Sequence, residues 1–185
     1  MDTPQNVEVP RGQRGAILVI SLLLLLVMTV LGLAVMQIAR MEERMAGNLR
    51  DVNIAFQGAE AGLRDAETRL RLMVARPDTC ATAPCAVWQR DVGALPVVLP
   101  ENLRSQGAAW WVANATEYGA ASVREITQTT MEPRVLIQEA GFIPDSLTVG
   151  HGPPEGRSFY RVNSYSTGAT DTAQVVLEST YTRRF

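Results

Sequence analysis

Few residues in this 185-residue chain have the types and spacing that chemistry demands. Cys80 and Cys85 enclose Ala-Thr-Ala-Pro, and His151 stands between two glycines just before two prolines. Cysteines this close, beside a turn-forming proline, favour a small disulfide loop in an oxidising compartment. Closing so short a loop would stabilise a fold by about 2 kcal/mol on the chain-entropy estimate. Free buried thiols and half of a metal site are the other readings of the same pair. Zinc takes four protein ligands, or three and a water, and the single histidine lies far along the chain. His151 could act as a general base only with a fixed partner, and no Gly-x-Ser-x-Gly elbow or paired-acid motif accompanies it. A solvated loop histidine is the simpler reading, so no catalytic residue, metal ligand or cofactor is expected. Asn114-Ala-Thr116 fits a glycosylation sequon, a pattern short enough to arise by chance.

The elements that would position these residues begin with a membrane segment. From Gly15 to Ala39 the chain carries no charge. That run matches the roughly 20 residues needed to span a bilayer as a helix and exceeds the h-region of a secretory signal. Ser21 and Thr29 interrupt it, but a hydroxyl can bond back to a carbonyl one turn earlier. Arg11 and Arg14 precede the span, and Arg40, Arg44 and Arg50 follow it, so basic residues alone do not orient it. A disulfide beyond the span would place the C-terminal part outside the cytoplasm. The net charge of −2 gives no electrostatic footprint for nucleic acid.

Beyond the span, Met41, Met45, Leu49, Val52, Phe56, Ala59, Leu63, Ala66, Leu70 and Met73 follow at steps of four or three. That stripe predicts one apolar helical face. No proline occurs between Ala16 and Arg76, and Arg76-Pro77 is a natural stop. One helix of about sixty residues, roughly 90 Å long, is therefore expected, with 16–39 in the membrane and 40–76 amphipathic. A coiled-coil seam would show the same stripe. Frequent alanine and glycine favour a helix covering its own sheet, through Leu49, Val52, Phe56, Ala59, Leu63 and Leu70.

Residues 77–185 read as turns and strands, enough for one modest domain. Ala108-Ala-Trp-Trp-Val-Ala113 is expected to be a short strand with one tryptophan inward. Arg134–Glu139 is bounded by Pro133 and Gly141. Ser158–Ser166 and Ala173–Tyr181, separated by 167–172, give the strongest hairpin signal. His151 falls in a loop between Pro144 and Gly156.

Several segments together resemble a known family. Gly15 followed by Ala16-Ile-Leu-Val-Ile-Ser and a long apolar helix resembles the class III leader of type IV pilins and pseudopilins. Glu42–Asp51, Ala55–Leu63, Pro133–Glu139, Tyr160-Arg-Val162 and Gln174–Tyr181 are similar to segments of the PilX family of minor pilins. The resemblance implies an α+β, type IV pilin-like fold: a long N-terminal helix packed against a C-terminal antiparallel sheet. It also implies that prepilin peptidase removes residues 1–15 between Gly15 and Ala16, and that Ala16 is then N-methylated. The mature chain would wait in the inner membrane with its domain in the periplasm. The partners implied are other minor pilins, the major pilin, the inner-membrane assembly machinery and a PilY-type tip adhesin.

Two positions depart from the pilin pattern. Ala16 stands where phenylalanine is usual, and Ile20 replaces the glutamate common at the fifth mature position. In pilins that glutamate neutralises the terminal amine of a neighbouring subunit; a carboxylate in the bilayer is costly unless paired. A subunit without it needs no amine above it, which suggests a place at or near the tip. The alternatives are a minor pseudopilin of type II secretion and an uncleaved single-pass protein with a periplasmic binding domain.

Overall fold

The computed structural model describes residues 14–90, 100–120, 125–145 and 155–185. The chain divides into two compact units, Met1–Gly47 and Asn48–Phe185. Helix α1 (Arg14–Leu72) runs uninterrupted through both. It is followed by α2 (Pro100–Ser105), α3 (Ala108–Asn114), β1 (Thr116–Glu117), β2 (Arg134–Pro144), β3 (Gly156–Thr167) and β4 (Gln174–Arg184). The strands form one antiparallel sheet in the order β1-β2-β3-β4. The long helix and antiparallel sheet give the α+β, pilin-like arrangement expected above.

In the first unit, α1 is apolar on every face from Ile17 to Ile38 and long enough to cross a membrane. Its two hydroxyls turn inward to the backbone. Ser21 Oγ donates to Leu18 O at 2.9 Å and Thr29 Oγ1 to Leu26 O at 2.7 Å. This removes unpaired donors that hydrocarbon would penalise.

In the second unit the sheet has a core on each face. On one side Ala66 and Leu70 of α1 pack with Val135 and Ile137 of β2, Tyr160 and Val162 of β3, and Val87. On the other, Leu103 of α2, Trp111 of α3 and Trp88 cover Leu136 and Tyr165. Alternation along β2 and β3 sends successive side chains to the two cores. Leu103 and Trp111 are fully buried, so the α2–α3 segment forms a third layer.

Three readings of element type and bounds need correction. The Ala108–Ala113 run is helical, within α3, rather than a strand. Three alanines favour the helix, and the turn allows Trp111 to stack on Tyr165, with ring centroids 5.2 Å apart and 13° between planes. Trp110 meets Trp111 edge-on and remains half-buried. Second, Gly141 does not end β2. The register shifts between Glu139 and Gly141, and pairing resumes as far as Pro144, as a bulge allows. Third, α1 ends at Leu72, before the expected stop at Arg76. The Arg183 guanidinium donates to Leu70 O at the helix end, where a cation complements the dipole. Arg76 has left the helix to pair with Glu139, at 2.5 Å, and to stack on Phe142.

Candidate functional site: the helix α1 surface and its seat on the sheet

The face of α1 that meets the sheet is built from small residues. Ala55, Ala59, Ala66 and Leu70 are completely buried, and Gly58 and Gly62 are buried among them. A Cβ on Gly58 would collide with Ser166 Oγ and lie 3.2 Å from Thr129 Cγ2. One on Gly62 would collide with Ser164 Oγ and lie 3.2 Å from Val135 Cγ2. Both serines point from β3 towards α1. The two glycines therefore set the spacing between helix and sheet.

Polar contacts fix the helix along its axis. Where the second unit begins, Asp51 accepts the Thr170 N–H at 3.1 Å and also the Thr170 hydroxyl. These hydrogen bonds, the hydroxyl foremost, pull the Asp51 carboxyl below its ordinary 3.8. Gly168 of the same β3–β4 turn lies against Asp51, leaving no space for a side chain. Further along, Glu67 accepts from Ser179 Oγ of β4 at 2.9 Å. Asp65 and Arg69 form a largely buried ion pair at 3.3 Å, and burial pushes the Arg69 guanidinium down despite the Asp65 charge.

The apolar stripe falls into two parts. Ala59 and Leu70 face the sheet, and Leu63 is half-buried beside the core. Leu49, Val52 and Phe56 do not pack there as expected; they are 67%, 48% and 46% exposed. The reason is geometric. Steps averaging 3.5 residues drift around a 3.6-residue helix, and the alanine–glycine face presses closer to the sheet than these larger side chains could. Met41 and Met45 are likewise exposed in the first unit, as are Ile20 and its apolar neighbours. Gly15 and Ala16 lie in the first turn of α1, with nothing within 4 Å of a Cβ on Gly15.

Cys80 and Cys85 are joined, with Cα atoms 5.9 Å apart. The bridged turn positions the next residues: Cys80 N–H donates to Val87 O and Gln89 N–H to Cys80 O. Val87 enters one core and Trp88 the other, and Trp88 exchanges backbone bonds with Ile137 and Glu139 of β2. Nothing in the residue types around Val87 marked this double role. Asn114 donates its side-chain N–H to Trp110 O at 2.9 Å. Among the described residues no three His, Cys, Asp or Glu side chains converge as a metal site. His151 lies outside the described residues, as do residues 1–13 of the expected leader.

An apolar helix of this length, continued without a break onto a four-stranded antiparallel sheet, defines the type IV pilin-like class. The profile described as PilX N-terminal matches residues 14–64, and that described as type IV pilus assembly protein PilX C-term matches residues 65–183. The chain belongs to the PilX family of type IV pilus assembly proteins. Comparison with curated proteins and with solved structures gives no match.

Proposed function

We propose that this protein is a minor pilin that primes pilus assembly and is incorporated at or near the tip. The observation that carries the proposal is the exposed apolar surface of α1. It runs from Ile17 to Ile38 and continues through Met41, Met45, Leu49, Val52 and Phe56. In lipid the first part needs no partner, but the second lies beyond the span, where exposed apolar side chains seek protein. A subunit able to move from bilayer to filament requires both.

In this reading prepilin peptidase cuts between Gly15 and Ala16 and Ala16 is methylated. Residues 40–185 face the periplasm until the subunit enters the pilus, where they reach the cell surface. Ile20 supports the tip position, because it offers no carboxylate to a neighbour's amine. Major and minor pilins, and a PilY-type adhesin at the tip, are the partners; twitching motility and adhesion are the processes served. Membrane-bound residues and the pilus scaffold account for the chain without a catalytic step.

Immunogold labelling of sheared pili tests this. Label confined to filament ends, with few pili in the deletion strain despite normal major pilin in the membrane, is expected. Dense labelling along the shaft would replace the tip-restricted initiator with an ordinary shaft subunit. Absence from sheared pili would overturn the reading altogether.

A further inference from the structure

The layer formed by α2, α3 and Trp88 covers only part of the sheet face that points away from α1. Leu136, Tyr165 and Val176 lie against it. Towards Gly156 and Phe185, at the end of the sheet remote from the β3–β4 turn, the same face is open. Its cross-strand rows there are Ile143–Arg157–Arg184 and Gly141–Phe159–Thr182. Alternation along β3 puts Arg157 and Phe159 on the side of Tyr165. Ile143 is 57% exposed and Phe159 half-buried, while Arg157, Thr182 and Arg184 are exposed.

Arginine dominates this open face. Arg184 pairs with Asp145 at 2.6 Å, and Arg161, one row inward, pairs with Glu178 at 3.5 Å. Arg90 and Arg157 have no acidic partner among the described residues. Arg157 stands directly opposite Arg184, and like charges so placed cost stability. Arg90 Nη1 lies 3.8 Å from where a Cβ on Gly141 would stand, so its guanidinium rests over the middle row. Glu155, at the rim, forms no ion pair with a described arginine. Two unpaired guanidinia therefore border Ile143 and Phe159.

We infer that this face docks an acidic segment of another protein. Its carboxylates meet Arg90 and Arg157, and an apolar side chain between them covers Ile143 and Phe159. Charge complementarity names the occupant. A second copy turned face to face would set arginine against arginine. Nor does the chain have an acidic segment of its own to offer. Its one pair of adjacent acids, Glu42-Glu43, stands between Arg40 and Arg44, and Asp65 and Glu67 are engaged with Arg69 and Ser179. A phosphate-bearing glycan or lipid would satisfy the guanidinia but leave Ile143 in water. Arginine beside aromatic side chains is the composition of protein interfaces. The inference goes beyond the assembly reading and stands whatever the position in the pilus.

The test places p-benzoylphenylalanine at Thr182 of the full-length chain, with illumination of intact cells and peptide mapping of the membrane fraction. The linked peptide should belong to another protein and carry several carboxylates close to the link. Reversing the unpaired charges, Arg90→Glu with Arg157→Glu, should cut the yield about tenfold. Arg71→Glu with Arg104→Glu reverses two exposed arginines elsewhere and makes the same change in net charge; its yield should stay within about twofold. In washed membranes holding the chain with all its arginines, raising salt from about 50 to about 500 mM before illumination should lower the yield about threefold or more, because exposed ion pairs are screened. That arm reads the contact independently of how the reversed chains fold. An unchanged yield at high salt or in Arg90→Glu with Arg157→Glu overturns the inference, as does an equal loss in the control pair. So does the absence of a cross-link, a linked peptide without acidic residues, or a glycan or lipid adduct. A link to a second copy of this chain, or to residues 91–99 or 146–154 of the same chain, overturns it as well.

Discussion

Gly62 of α1 meets Ser164 of β3 so closely that a Cβ on the glycine would collide with Ser164 Oγ. In an open helix Gly→Ala is stabilising by about 0.5–1 kcal/mol. Here the sign reverses. Gly62→Ala should destabilise the domain by about 1–3 kcal/mol, the usual cost of overpacking. Ser164→Ala removes the nearest atom, so the double variant should recover most of the loss. Thermal unfolding of the four members of this cycle measures the coupling. Additive effects would show that the two residues do not share the contact.

Asp51 should make stability depend on pH. Its carboxyl lies below 3.8 in the folded protein because Thr170 donates to it. A depressed carboxylate contributes stability above its unfolded pKa and loses it as pH falls through the folded one. Wild type should therefore unfold at a higher temperature than Asp51→Asn at neutral pH, and the two should converge in acid below 3.8. In a Thr170→Ala background the difference at neutral pH should shrink, and circular dichroism melts across pH will show whether it does.

The Cys80–Cys85 bridge should matter for stability more than for shape. Replacing both by serine should cost about 2 kcal/mol, the chain-entropy value for so short a loop. The loss should be felt around Val87 and Trp88, because the bridged turn delivers them to the two cores. Non-reducing peptide mapping of protein from the periplasm should recover the joined pair, and hydrogen exchange at Trp88, which bonds Ile137 O, should quicken in the double serine variant.

How much of this could be read from residues depended on the length of each pattern. The uncharged run to Ala39 and the periodic segment after it are long enough that α1 emerges within a few residues of its observed end. The β3–β4 hairpin was legible because two alternating runs flank a turn-rich segment, whereas Ala108–Ala113 is too short for periodicity to separate strand from helix. The seat of α1 was misplaced for another reason. Large apolar residues were assigned to the core, but close approach of a helix to a sheet selects glycine and alanine, which leaves Leu49 and Phe56 outside. Contacts such as Asp51 with Thr170 join distant segments and carry no local signal.

Processing should depend on Gly15. Intact-mass analysis in cells with prepilin peptidase should show loss of residues 1–15, and Gly15→Val should retain them. Ile20→Glu should be cleaved normally, since position 20 lies beyond the cut. At the tip its acid would find no amine, so piliation should be neutral or mildly reduced. A marked increase in copies along the shaft would show that Ile20 is what excludes the protein from it.

The divided stripe separates folding from assembly. Leu70 is completely buried and Leu49 is 67% exposed. Leu70→Asp leaves an unpaired charge in the core and should destabilise the domain by about 3–5 kcal/mol. Such a chain should be degraded or unfolded before it meets a partner. Leu49→Asp removes little packing and should cost less than about 1 kcal/mol, most of it helix propensity. If Leu49, Val52 and Phe56 are apolar because other subunits cover them, Leu49→Asp should nevertheless abolish recovery of the protein in sheared pili. The exposed Gln57 on the same helix supplies the control: Gln57→Asp should fold and assemble like wild type. Melting temperatures of the three variants, set beside their recovery in pili, decide the matter. Normal recovery of a folded Leu49→Asp protein would remove the exposed stripe from the assembly surface.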